Sequence, residues 1–184
     1  PVQRGDRHRM DQRESHLLYS RFSVAEDDAA FKSPVTRRML VYWREIAGDR
    51  PRPAWTDVNL MDVYQIAPLI MVRDAVDGGR DFRCRYCGTQ LVSVLGMDPT
   101  GLLLDECYAP DGRDMMLQRY HLVLSAGAPV RVVGYLRVIE KNLPTGFECV
   151  MLPLSGEGGA IGHVLLALDF AYDPEGDEVP KPGT

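Results

Sequence analysis

The chain has no apolar run longer than residues 164–168, far below the ~20 residues a membrane-spanning helix needs. It has no clustered basic face either. Its 21 lysines and arginines are scattered among 26 acids, giving a net charge of −5, so neither a membrane nor a nucleic acid is expected as a partner. The first residues carry Arg4, Arg7, Arg9 and Arg13 among acids and lack the apolar segment of a secretory signal, which predicts a cytoplasmic protein. A phosphate loop of the Gly-x-x-x-x-Gly-Lys type, a Gly-x-Ser-x-Gly elbow and a metalloprotease helix are all missing. Adjacent acids occur at Asp105-Glu106, but such pairs usually cap a helix or face water. The chain is therefore expected not to be an enzyme.

Cysteine is scarce, with four residues, and two of them form the C-x-x-C of Cys84 and Cys87. There is no second such pair and no paired histidine motif to complete a tetrahedral metal site. The segment around them alternates Phe82, Cys84 and Tyr86 against Arg83, Arg85 and Cys87, the period of a half-buried strand. In a regular strand residues three apart point to opposite faces, so the two thiols are expected apart, reduced and without metal.

Residues 1–32 read as a polar arm, mobile or holding a short helix, whose apolar patch is Leu17, Leu18, Tyr19 and Phe22. Ser33-Pro34 then starts an amphipathic helix over residues 33–48: serine caps free amides and proline tolerates the first helical position. Its apolar face holds Val35, Met39, Tyr42, Trp43 and Ile46, with Arg37, Arg38, Arg44 and Glu45 opposite. A short helical turn is expected over residues 60–66, followed by strands over 69–75 and 81–87 joined at Asp77-Gly78-Gly79. Helices follow over residues 88–95, 103–106 and from Pro110 to about residue 126. Three more strands cover residues 130–140, 147–154 and 160–170, separated by the turn-rich Pro144-Thr145-Gly146 and Gly156-Glu157-Gly158-Gly159. Residues 172–184 read as a disordered acidic tail.

Tyr42-Trp43-Arg44, the glycine hairpin, Arg85-Tyr86-Cys87-Gly88-Thr89, Leu95-Gly96-Met97-Asp98-Pro99-Thr100-Gly101 and Leu152-Pro153-Leu154 follow one another in an order that resembles the PAS domain family, closest to its short bacterial group. The resemblance implies an α+β fold: a five-stranded antiparallel sheet with helices on one face, over residues 49–171, preceded by the amphipathic helix extension. It also implies a stand-alone sensory or signalling domain that acts through a small ligand, a signalling protein partner, or both. The amphipathic helix would cover the outer sheet face or pair with a second subunit, and a homodimer is expected.

Within that frame the inner face should carry Phe82, Cys84 and Tyr86; Val132, Gly134 and Leu136; Cys149 and Met151; and Val164, Leu166 and Leu168, with Met116 and Tyr120 closing over them from the long helix. The candidate ligand lining is Phe82, Cys84, Tyr86, Met116, Tyr120, Val132, Leu136, Met151, Val164 and Leu166. Close packing of interiors favours a filled core at these positions. The resemblance makes the same residues the wall of a ligand site. Met39, Tyr42, Trp43, Ile46 and His163 are assigned to the helix or dimer interface. No cofactor is named by the residues. Haem sensors of this family use a helix histidine, but alignment places Arg113 at that position and His121 lies beside Tyr120, facing elsewhere. The flavin-binding cysteine string is absent. A ligandless adaptor, and an enzyme using the same interior, remain as alternative readings.

Overall fold

The computed structural model describes residues 17–137 and 144–177. Strands β1 (Leu17–Val24), β2 (Ile70–Val76), β3 (Asp81–Cys87), β4 (Val130–Arg137), β5 (Pro144–Ser155) and β6 (Ile161–Asp169) form one sheet in the order β1-β4-β5-β6-β2-β3. Every neighbouring pair is antiparallel. Helices α1 (Pro34–Ala47), α2 (Thr89–Leu95), α3 (Leu104–Cys107) and α4 (Pro110–Ala126) complete the α+β architecture that the element order predicted.

Two apolar clusters lie on opposite faces of this sheet. On the inner face α4 packs across β1, β4, β5 and β6, while α3 leans on β3 and α4. On the outer face α1 lies over β5 and β6. Because both faces are covered, residues 147–154 of β5 are buried without interruption, where a one-sided sheet would alternate. The Ser33 hydroxyl accepts from the amides of Val35 and Thr36, Pro34 opens α1 and Gly48 ends it, as the sequence signals predicted.

The sheet has a sixth strand. Residues 17–24, expected as a helix or loose arm, pair with β4 and give the sheet its edge. The short patch of apolar and β-branched residues fits strand as well as helix, and only the open side of β4 decides between them. At the other end, residues 172–177 of the expected disordered tail turn back on the sheet. Tyr172 packs on Val133 and Tyr135, and Arg131 bonds Tyr172 Oη and Asp177. The acid-rich composition marked that segment as unstructured; a guanidinium on the neighbouring strand holds it. The final part of the predicted strand 130–140, residues 138–140, and of the tail, 178–184, lie outside the described residues, as do residues 1–16.

The hairpin between β2 and β3 turns through Asp77, Gly78 and Gly79, all at positive φ (49°, 69° and 91°). β3 then carries a bulge. Val72 pairs with Tyr86 and Arg73 with Cys84, leaving Arg85 as an extra residue. The extra residue shifts the phase of all that follows, so Tyr86 faces outward with the cluster under α1 and Cys87 turns inward. Just past the bulge, Gly88 lies against the backbone of residues 67 and 68: a Cβ there would stand 2.4 Å from both the Ala67 and Pro68 carbonyl oxygens. Gly88→Ala must move backbone, and a loss of about 1–3 kcal/mol is expected, read as a lower urea midpoint at unchanged slope.

Candidate functional site

Nine of the ten predicted lining residues stand together between the inner face and α4. Phe82, Cys84, Tyr120, Val132, Leu136, Met151, Val164 and Leu166 belong to one buried cluster, with Met116 packed against it. Tyr86 is the exception. The bulge sends it outward, where its hydroxyl donates to the Ala67 carbonyl at 3.2 Å. Strict alternation could not reveal this, because the side-chain period is broken at Arg85.

The lining expected from alternation contains no arginine, lysine or carboxylate, and the structure adds a charged residue to it. Arg73 pairs with Val164 and Cys84, is fully buried, and projects from the inner face of β2. One nitrogen, Nη1, donates to the Phe82 carbonyl at 3.2 Å. Nε and Nη2 have no partner. The groups that feel its charge most are the phenols of Tyr120 and Tyr108 and the thiols of Cys84 and Cys107. Burial pushes both phenols and the Cys107 thiol above their ordinary values, so none of these three supplies a negative charge near neutrality. Tyr120 is fully buried, stacks on Phe82 with ring centroids 4.4 Å apart, and its hydroxyl is unpartnered.

A second buried guanidinium lies along α4. Arg119 donates from Nη2 to Ser20 Oγ and from Nη1 towards Met116 Sδ, and sits over the Phe22 ring. Burial pushes its pKa down. Among the described residues no carboxylate forms an ion pair with Arg73 or Arg119. Asp81, at the start of β3, is already engaged: Oδ1 accepts from the amides of Phe82 and Leu104, and Oδ2 faces Arg113 at 3.4 Å.

A PAS domain profile matches residues 31–168, well over half of the chain. The chain belongs to the PAS domain family. None of the curated proteins matches it in sequence. Among solved structures it is similar to VqmA bound to DPO, at 14% identity and a TM-score of 0.47, over 60% of this chain and 57% of that one. It is also similar to a light-oxygen-voltage domain studied with a flavin analogue (13%, 0.46, 66% of this chain and 91% of that one). A third is the PAS domain of BvgS from Bordetella pertussis (13%, 0.37, 64% and 90%). The chain thus spans little more than half of that VqmA chain.

The bulge changes the chemistry of the C-x-x-C pair within this PAS sheet. It places both thiols on the inner face, against the expectation that they point apart. Cys84 Sγ donates to the Tyr86 carbonyl at 3.4 Å and Cys87 Sγ to the Gly88 carbonyl at 3.8 Å. The neighbouring Cys87 thiol holds Cys84 below its ordinary value, and Cys84 with burial pushes Cys87 up. All four cysteines are free, and among the described residues no group of three or more His, Cys, Asp and Glu could hold a metal ion.

The two histidines among the described residues are engaged elsewhere. His121 Nε2 lies 2.8 Å from the Gly79 carbonyl across the β2–β3 turn, and Arg113 faces Asp81. His163 Nδ1 lies 2.7 Å from Asp74 Oδ1, which also accepts from Arg85, and the Trp55 ring stands beside both His163 and Arg85.

The expected interface residues of α1 are used inside the chain. Met39, Tyr42 and Trp43 are buried against the outer face of their own sheet, with Ile46 partly so. The Trp43 indole donates to the Pro153 carbonyl at 2.9 Å, and Tyr42 Oη bonds the Asn59 backbone. These side chains pack α1 on the outer face of its own sheet. A surface groove of about 360 Å³ lies along β1 and β4, lined by Arg21, Phe22, Ser23, Arg131, Val133, Gly176 and Asp177.

Proposed function

We propose that this PAS domain is a sensory module that binds a small molecule between the inner sheet face and α4, and that it performs no catalysis. The observation behind this reading is the unpartnered polar atoms of Arg73 and Tyr120 in the middle of an apolar interior. A buried polar group without a hydrogen bond costs about 1–3 kcal/mol, more if charged, and a ligand that meets those atoms removes the penalty. Binding would then favour one packing of α4 on the sheet over others and pass that preference to a signalling partner. Denaturing extraction of freshly purified protein, followed by mass analysis, is expected to release one small organic molecule in near-stoichiometric amount. Protein that yields none, and whose melting temperature is indifferent to small molecules, would be a ligandless adaptor.

The module is proposed to act as a homodimer, held through apolar side chains other than those spent under α1. Val41 on α1, and Met61 and Tyr64 in the turn that follows, stay in water and are available. Sedimentation equilibrium at micromolar concentration should return twice the chain mass, with Met61→Lys lowering it. A monomer mass for the unmodified protein would end this part of the proposal.

A further inference from the structure

We infer that the ligand of this interior is a carboxylate with an apolar body, its two oxygens seated on Nε and Nη2 of Arg73. The inference rests on the ligand-binding reading above and adds the ligand's chemical class. Nε and Nη2 form the side-on edge of the guanidinium, the two parallel donors that match a carboxylate in a bidentate fork. These are the two Arg73 atoms without a partner, while Nη1 is fixed on the Phe82 carbonyl. The side chain is therefore oriented by Nη1, with the Cys107 thiol the one neighbouring side chain among the described residues that interacts with its guanidinium as a hydrogen-bond partner.

Charge leads to the same class. An ion taken out of water costs several kcal/mol unless a counter-ion accompanies it. No carboxylate of the chain pairs with Arg73 among the described residues, Asp81 is engaged with backbone amides and Arg113, and the surrounding phenols are neutral. Arg73 lacks a carboxylate counter-charge, and so does Arg119 on α4, among the described residues. A phosphate dianion would bring further oxygens beyond the two that the fork seats; the other buried donors without a partner among the described residues are the Tyr120 hydroxyl and the Nε atoms of Arg113 and Arg119. Arg73 pairs across the sheet with Cys84 and Val164 and lies near Tyr120, Tyr108 and Cys107, in a cluster whose apolar members include Phe82 and Met71 and suit a hydrocarbon or aromatic body.

The probes are benzoate, its neutral isostere benzamide, and inorganic phosphate, added to protein freed of co-purified small molecules. At about a hundredfold excess over Kd, benzoate is expected to raise the melting temperature on the order of 5–10 °C, and benzamide and phosphate to leave it unmoved. Arg73→Met is expected to fold with a melting temperature no lower than the parent, having lost an uncompensated charge, and to ignore benzoate. Tyr120→Phe keeps the stack on Phe82 and is expected to weaken benzoate about 3- to 10-fold, the value of one hydrogen bond. It provides the test if the Met variant does not fold. Benzamide as effective as benzoate, phosphate in place of benzoate, or a benzoate response retained in Arg73→Met or undiminished in Tyr120→Phe each overturns the carboxylate and leaves the ligand-binding reading standing. If no probe shifts the protein, the extracted molecule decides: a carboxylic acid supports the inference and a neutral molecule overturns it. Nothing extracted removes both readings together.

Discussion

Glu148→Ala is expected to remove about 3–5 kcal/mol of stability, a large share of the 5–15 kcal/mol a domain of this kind possesses. Glu148 is fully buried on the outer side of β5. Its carboxylate accepts from the amides of Lys32 and Ser33, from Thr36 Oγ1, and from the Arg131 guanidinium at 2.6 Å. It thus satisfies donors at the open start of α1 and places a negative charge at the positive end of that helix dipole. Alanine leaves Arg131 short of one counter-charge and the amides without acceptors. Glu148→Gln, which keeps one acceptor oxygen, should lose less. Urea unfolding of the three proteins checks the order, and equal midpoints for all three would show that the carboxylate does not anchor the helix.

Trp43→Ala is expected to cost about 3–5 kcal/mol, through the cavity left under α1 and the lost bond from its indole to Pro153. The same substitution should leave the self-association constant of the folded protein unchanged, because the ring faces its own sheet. Sedimentation below the unfolding transition separates the two effects. A dimer that dissociates while the fold is intact would return Trp43 to the subunit interface.

The boundaries of α1, β3 and α4 were legible because their signals are local: a capping serine and proline, a glycine turn, a proline after an extended segment. Most of the interior lining was legible for a similar reason, since alternation holds along β4, β5 and β6. Tyr86 was placed wrongly because a bulge is a property of two paired strands and leaves no mark in one. Glu148 alternates to the outward side of β5, where a charge ordinarily meets water. Alternation gives the direction of a side chain but cannot say that a helix covers it.

Arg73 was the most consequential omission, although a signal was present. Arg73-Asp74 puts two charges at consecutive positions of one strand, so one of them must face inward whatever the register. The strand at the amino-terminal edge carried no comparable mark, because the partner that selects it lies more than a hundred residues away.

Arg131 grips Glu148 on one side and Asp177 on the other, with the Tyr172 hydroxyl alongside. The incoming and outgoing ends of the sheet are thereby moored to one side chain, at the base of the helix on the sheet's far side. A pull on the carboxyl-terminal turn reaches the first turn of α1 through a single guanidinium, by a route that never enters the half of the domain under α4.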